Sequence, residues 1–213
     1  MNSTSAVWKA GTGFFMFQTR SSPAKAGQEI LEMWYVIQTI TGKEQELVDL
    51  VYKMLPKTVY KECFFLKRQL LKRLGGEWLE VTETLFPAYV FLDLTNADEV
   101  FYELKRIPEF SKLLGDNLGE FIPLEEEERK FLELLCANES PVNNADKGAG
   151  YYLVRNTKVY LDAQGEIERL DGPLEYFKEK IIRLNLRKRY ALIETAIRGE
   201  QQTAMLGIKL EKD

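Results

Sequence analysis

The sequence predicts an α+β protein: an N-terminal antiparallel sheet with flanking helices, then a small C-terminal β-barrel. Three observations lead there. From residue 34 to 135, strand-like runs rich in β-branched and aromatic residues alternate with stretches whose apolar residues recur at helical spacing. From 151 to 211, only short strand-like runs divided by turn residues remain. Between them, 136–150 is rich in Asn, Ser, Pro, Asp and Gly and poor in apolar residues, which reads as a linker. The expected division is therefore 33–135, a linker at 136–150, and 151–213.

Each element has its own reason. Residues 34–40 read as a strand. Residues 42–54 read as an amphipathic helix, with Leu47, Leu50, Val51 and Met54 on one face. Thr41 is positioned to cap it, with Glu44 completing a capping box, and Pro56 ends it. Residues 60–72 and 77–84 read as a hairpin turning at Gly75-Gly76. A strand follows at 88–94, then a helix at 97–106 stopped before Pro108. A short strand is expected near 111–114, then a Gly-Asp-Asn turn. A third helix begins near Leu124, and the acids at 125–128 read as its solvated, dipole-favoured start rather than a metal site. The later strands are expected at 152–154, 158–161, 167–170, 180–184, 190–197 and 203–208. Residues 1–32 lack periodicity and are expected to be a disordered extension, with Met33 as the natural start.

Composition removes several function classes. Histidine is absent, so nucleophile–histidine pairs are excluded. Two cysteines, Cys63 and Cys136, without a C-x-x-C pair, do not make a structural zinc site. They fit free thiols in a reducing cytosol, or a single disulfide. Gly75-Gly76 lacks the Lys-Ser/Thr of a phosphate-binding loop. Among 33 acidic residues, a pair such as Asp93 and Asp98 arises by chance. No enzyme, metal or cofactor is expected. No apolar run reaches the roughly 18–20 residues of a membrane span, so no membrane partner is expected. The net charge of −4 means that any nucleic-acid surface must be local. Nothing signals an oligomer, so a monomer is expected.

The most informative stretch is Leu85-Phe86-Pro87-Ala88-Tyr89-Val90-Phe91-Leu92. Its Pro-Ala step breaks strand alternation, so Phe86 and Tyr89 read either as a core pair, the commoner state of an isolated aromatic pair, or as two rings emerging on one surface. Upstream stand Trp34-Tyr35-Val36-Ile37-Gln38 and Thr41-Gly42-Lys43-Glu44; downstream stands Asp171-Gly172-Pro173-Leu174. This ordered set resembles the NusG family of transcription elongation factors, over about residues 33–211. The resemblance implies an N-terminal α/β (NGN-like) domain and a C-terminal SH3-like barrel carrying a KOW motif. Tyr60-Lys61-Glu62-Cys63-Phe64, Gly75-Gly76-Glu77-Trp78 and Arg187-Lys188-Arg189 look most like the LoaP-type paralogs, specialised antiterminators of selected long operons.

The resemblance also implies roles. Tyr35, Phe86 and Tyr89 match positions that form an apolar depression for the clamp helices of RNA polymerase. Trp34 matches too, but its opposite strand parity reads as core. Ala88 stands where the family carries glycine, a change the depression tolerates unless the position needs a positive φ. The hairpin, with Lys72 and Arg73, reads either as a solvated loop or, as the resemblance implies, as one reaching nucleic acid through phosphate contacts or the opposite jaw of the polymerase cleft. Lys178, Lys180, Arg183, Arg187, Lys188 and Arg189 read either as a solvated turn face or as a surface for a nascent RNA hairpin. Tyr176, Phe177 and Tyr190 are candidates to stack on unpaired bases. After Gly172-Pro173-Leu174, Tyr176, Lys178 and Glu179 replace two family glycines and an acid. Arg198 replaces the aromatic with which general NusG factors dock to Rho or a ribosomal protein, favouring a specialised paralog. The leading expectation is a cytoplasmic antitermination factor that binds RNA polymerase and RNA. The rivals are a KOW-type RNA-binding or ribosome-associated module without a polymerase role, and a housekeeping NusG.

Overall fold

Strand β2 (Tyr60–Leu74) organises the first sheet, because its 15 residues serve three neighbours. Its start pairs antiparallel with β4 (Tyr89–Leu94), and its end pairs antiparallel with β3 (Glu77–Thr84) across the Gly75-Gly76 turn. Both turn glycines have positive φ, 60° and 95°, the requirement of a tight two-residue hairpin. β1 (Met33–Gln38) lies antiparallel on the far side of β4, with the short β5 (Ile122–Pro123) at its edge. The computed structural model describes residues 33–94, 97–114, 121–137, 142–144 and 148–211. The expected extension at 1–32 and the Gly-Asp-Asn turn lie outside the described residues.

The sheet has two covered faces. On one, helices α1 (Glu44–Met54), α2 (Ala97–Lys105) and α3 (Pro108–Leu114) bury Leu47, Val51, Leu104 and Phe110 against Ile37, Val90 and Leu92. On the other, α4 (Glu126–Cys136) brings Phe131, Leu132 and Leu135 against Phe64, Phe86 and Phe91. Cross-strand partners Val36 and Phe91 share that second face, as direct antiparallel neighbours must.

The C-terminal strands form a five-stranded curled sheet in the order β10-β11-β12-β8-β9. They are β8 (Thr157–Leu161), β9 (Ile167–Asp171), β10 (Ile181–Asn185), β11 (Tyr190–Ile197) and β12 (Glu200–Leu210). A 3-10 segment, Pro173–Lys180, bridges β9 and β10, so the run after Gly-Pro-Leu is neither strand nor α-helix. Gly172, at φ 131°, passes so close to Thr157 that an added Cβ would stand 3.0 Å from its Cα. The Thr157 hydroxyl accepts the Leu174 N–H at 3.0 Å, which fixes this turn to β8. The α+β layout with its small C-terminal β unit is therefore as expected.

Three local expectations are corrected. The segment near 111–114 is helical, not a strand. Pro108 sits at a helix start, where its missing N–H costs nothing, and Phe110 and Leu114 fall four apart on one buried face. The linker region contains β6 (Val142–Asn144), and the strand β7 (Gly148–Val154) joins the first sheet rather than the barrel. β7 runs parallel to β2, from Phe65↔Tyr151 to Arg68↔Val154. Tyr152 donates its hydroxyl proton to Glu62 at 2.7 Å across that pairing, while burial holds the Glu62 carboxyl above the usual carboxylate range. Finally, Thr41 does not cap α1. The N-cap is Lys43, and Glu44, only 3% exposed, turns inward instead.

Candidate functional site

Phe86 and Tyr89 lie in the same buried cluster on one side of the first sheet, and the chain between them shows why. The Tyr89 N–H bonds the Phe86 carbonyl at 3.3 Å, closing a turn with Pro87 second and Ala88 third. The third place of such a turn needs positive φ, and Ala88 sits at φ 70°. The buried Glu44 carboxylate secures it, accepting the Ala88 N–H at 2.7 Å and the Gly42 N–H at 3.1 Å. The motif pairing of Glu44 with the Phe-Pro-Ala-Tyr segment is thus a direct bond between them. Because an L-residue in this region is strained, Ala88→Gly is expected to stabilise the fold by about 0.5–1 kcal/mol, after the flexibility that glycine adds to the unfolded chain. Urea denaturation of the two proteins checks the sign; a less stable glycine variant would show that the strain is already relaxed.

Tyr35 is not on this surface. Register places it opposite Leu92, on the face covered by α1–α3, with its ring 6.4 Å from Phe121. Trp34 is the residue that shares the Phe86 face, packing edge-on to Phe64 at 5.3 Å, and Phe64 in turn touches Phe91. The parity assigned to these two neighbours is therefore reversed. β1 pairs with β4 so that Gln38 faces Tyr89, and every second residue back from Gln38 returns to that side.

The Phe86–Tyr89 face is covered. Phe86 is 4% and Tyr89 9% exposed. Phe131 of α4 stands 6.4 Å from the Phe86 ring and 4.9 Å from Phe177 of the 3-10 segment. Phe177 is thus buried and offers no stacking surface, whereas Tyr176 beside it is exposed. The β11–β12 turn completes the cover with polar contacts. Arg198 donates to the Gln38 side-chain carbonyl at 2.7 Å, the Gly199 N–H to Glu128 at 2.8 Å, and Gln202 to the Tyr89 hydroxyl at 3.3 Å. Glu128 also accepts the Glu125 N–H at 3.0 Å, so this member of the acidic run is a buried bridge and not a solvated helix start. Arg198 holds φ 64°, and its Nε is buried with no hydrogen-bond partner.

The basic residues fall into separate places. Lys180 reaches towards α4, 5.9 Å from the Phe131 ring. Lys178 and Arg183 are exposed on the 3-10 segment and on β10. Arg187, Lys188 and Arg189 occupy the β10–β11 turn, which faces Lys72 and Arg73 of the β2–β3 hairpin across one groove. The sequence treated these as two tracts; the fold brings them together. Lys72 pairs with Glu83, and that bond, with Arg68 adding to it, holds the Glu83 carboxyl below the usual range. Arg189 stacks its guanidinium 4.9 Å from the Trp78 ring centre. Cys63 and Cys136 are both free, and burial pushes the Cys63 thiol far up, so it is not a nucleophile at neutral pH. Among the described residues no acidic or cysteine cluster is placed to hold a metal. No described helix is long and apolar enough to cross a membrane.

Residues 32–133, which supply β1–β5, α1–α3 and most of α4, match the family model described as transcription termination factor nusG. This segment belongs to the NusG family. A NusG protein of Rickettsia prowazekii, named a transcription termination/antitermination protein, is 23% identical over 86% of this chain and 91% of its own length. The NusG protein of Lactococcus lactis, named likewise, is 30% identical over 45% of this chain and 55% of its own. A solved structure described as "Domain interaction in Thermotoga maritima NusG" covers 83% of this chain and 94% of its own, at 19% identity and a TM-score of 0.42. The family segment contains both the Phe86–Tyr89 turn and the β2–β3 hairpin.

Proposed function

We propose that this protein is a cytoplasmic, non-enzymatic transcription antitermination and elongation factor of the specialised, LoaP-like kind. Its N-terminal half docks on RNA polymerase through the face bearing Phe86 and Tyr89. Tyr35, on the sheet's other side, is not part of this face. The barrel reads RNA through its basic residues. By gripping one conformation of the polymerase more tightly than another, such a factor shifts the enzyme's population away from paused and terminating states. The observation that carries this reading is the Pro87-Ala88 turn, which delivers two aromatic rings to one face. Aromatic anchors of this kind dominate protein interfaces.

In the described arrangement α4 and the barrel cover that face together, Phe131 lying on Phe86 and Gln202 bonded to Tyr89, so the barrel acts as an internal competitor that must withdraw before the polymerase docks. Its turn is held by a few polar contacts, each worth about 0.5–1.5 kcal/mol net. The unpartnered Arg198 Nε subtracts from that gain. A second reading is favoured by the burial itself: an RNA-binding module without a polymerase role would keep Phe86 and Tyr89 permanently inside.

One experiment separates them. Retention of core RNA polymerase is compared for wild type, Phe86→Ala/Tyr89→Ala and Arg198→Ala/Gln202→Ala, with circular dichroism confirming each fold. The first variant is expected to lose retention by roughly thirtyfold. The second, with its cover loosened, is expected to gain. No retention by any of the three would leave the RNA-binding module as the better account.

A further inference from the structure

We infer that the groove between the β2–β3 hairpin and the β10–β11 turn is a single composite site for an unpaired nucleotide of RNA, with one wall from each half of the protein. This rests on the RNA-binding part of the proposed function, but places it where neither basic tract alone would. The groove measures about 540 Å³, within the roughly 300–1,000 Å³ typical of small-molecule sites. Its floor is apolar, made by Leu70, Leu71 and Met205, and Trp78 forms its aromatic side. Its rim carries Lys72 and Arg73 on one wall and Arg187, Lys188 and Arg189 on the other, with no acid among the lining residues. Glu83, outside the lining, pairs with Lys72, so the net excess rests on Arg73, Arg187, Lys188 and Arg189, a local concentration of cations in a chain of net charge −4.

The chemistry selects the occupant. An apolar floor between cationic walls suits a flat, apolar-faced group flanked by anions, which describes a splayed-out base with its two phosphates. A continuous duplex presents phosphates and a shallow groove but no base face to insert, so it meets only the rim. The wall residues are prepared for this. The Arg73 Nε donates to the Gly76 carbonyl at 3.1 Å, keeping the side chain along the turn. Arg189, stacked on Trp78, closes the inner end and extends the flat surface. Arg187 and Lys188 are exposed at the mouth. While the barrel is seated, the walls are joined by contacts beside the groove, where Arg68 donates to the Met205 carbonyl at 3.1 Å and the Asn156 N–H to the Gln69 side-chain oxygen at 3.3 Å.

The test is fluorescence anisotropy of the full chain, without polymerase, with two labelled RNAs: a hairpin with an unpaired loop, and a blunt duplex of the same stem. The proteins are wild type, Lys72→Gln/Arg73→Gln, Arg187→Gln/Lys188→Gln, and Lys53→Gln/Lys112→Gln, which removes as much charge elsewhere. All substituted side chains are exposed, so folding is retained. Each wall variant is expected to weaken hairpin binding about tenfold, the control less than about twofold, and the duplex to bind more weakly throughout. Loss confined to Arg187→Gln/Lys188→Gln would overturn the composite site and leave RNA binding to the barrel alone. Equal binding of hairpin and duplex would overturn the unpaired-nucleotide assignment. No binding of either RNA by wild type would overturn this site together with the RNA half of the proposed function, while polymerase retention, measured without RNA, stands or falls separately.

Discussion

Gly207→Ala is expected to lower the stability of the fold by about 3 kcal/mol, at the upper end of what overpacking costs. β12 passes against β2 at this residue. A Cβ added there would lie 2.3 Å from the Gln69 carbonyl oxygen and 1.9 Å from the Asn156 side-chain oxygen. The amide oxygen belongs to a side chain that is able to turn away. The carbonyl belongs to a strand fixed in its ladder opposite Thr82, so it yields only if the strand or the barrel shifts. The barrel is therefore expected to lift from the hairpin, widening the groove whose walls it sets. Urea denaturation measures the loss. The pair Gly207→Ala and Gly207→Ala/Asn156→Ala divides it: partial rescue in the double variant assigns the remainder to the backbone clash. An alanine variant as stable as wild type would mean that the two halves are not seated this closely in solution.

Phe131→Ala is expected to cost about 3–5 kcal/mol, the range for emptying a buried aromatic position. The ring is 3% exposed and joins Phe86 of the first sheet to Phe177 of the barrel, so both sides lose a partner at once. Its replacement by leucine refills part of the space and is expected to cost less than half as much. The functional sign is opposite to the stability sign. With its central ring removed, the barrel is expected to leave the Phe86–Tyr89 face more often, and the variant to retain more polymerase per folded molecule. Thermal denaturation followed by intrinsic fluorescence gives the first quantity, and pull-down normalised to folded protein gives the second. A destabilised variant with unchanged retention would show that the barrel is no competitor for this face.

Local chemistry made much of the fold legible. Gly75-Gly76 between two apolar runs specifies a hairpin because only glycine takes two successive positive φ values without strain, and the strands follow. Leu47 and Val51 specify one helix face. The segment 111–114 misled because four residues hold too little pattern to separate periods, and the deciding fact was Pro108 starting the next helix after ending the last. β7 could not be read as part of the first sheet, since a parallel partner lies some 85 residues away and leaves no local mark.

The candidate site was legible in pieces. The Pro-Ala step announced that Phe86 and Tyr89 share a face, and Glu44 was visible in the same ordered motif set, though as a cap. The choice between Trp34 and Tyr35 depends on which residue of β4 each one faces, a matter of register that the strand's own sequence does not carry. Arg198 stood out as an unusual substitution, yet its bond to Gln38 crosses 160 residues. The joining of two basic tracts into one groove is likewise a product of the tertiary fold.

The short join between β7 and β8 sets how the barrel is able to move. Only Arg155 and Asn156 lie between them, so the steps from Val154 to Thr157 make a leash of about 10 Å even when drawn straight. On so short a leash the barrel pivots but does not drift. To travel further it must first unzip β7 from β2, breaking a ladder that runs from Phe65↔Tyr151 to Arg68↔Val154. Uncovering the aromatic face thus has two stages, a rocking about the leash that parts Phe177 from Phe131 and breaks the polar contacts of the β11–β12 turn, and a further peeling of one strand, and a partner that needs only the first gains access sooner than one that needs the second.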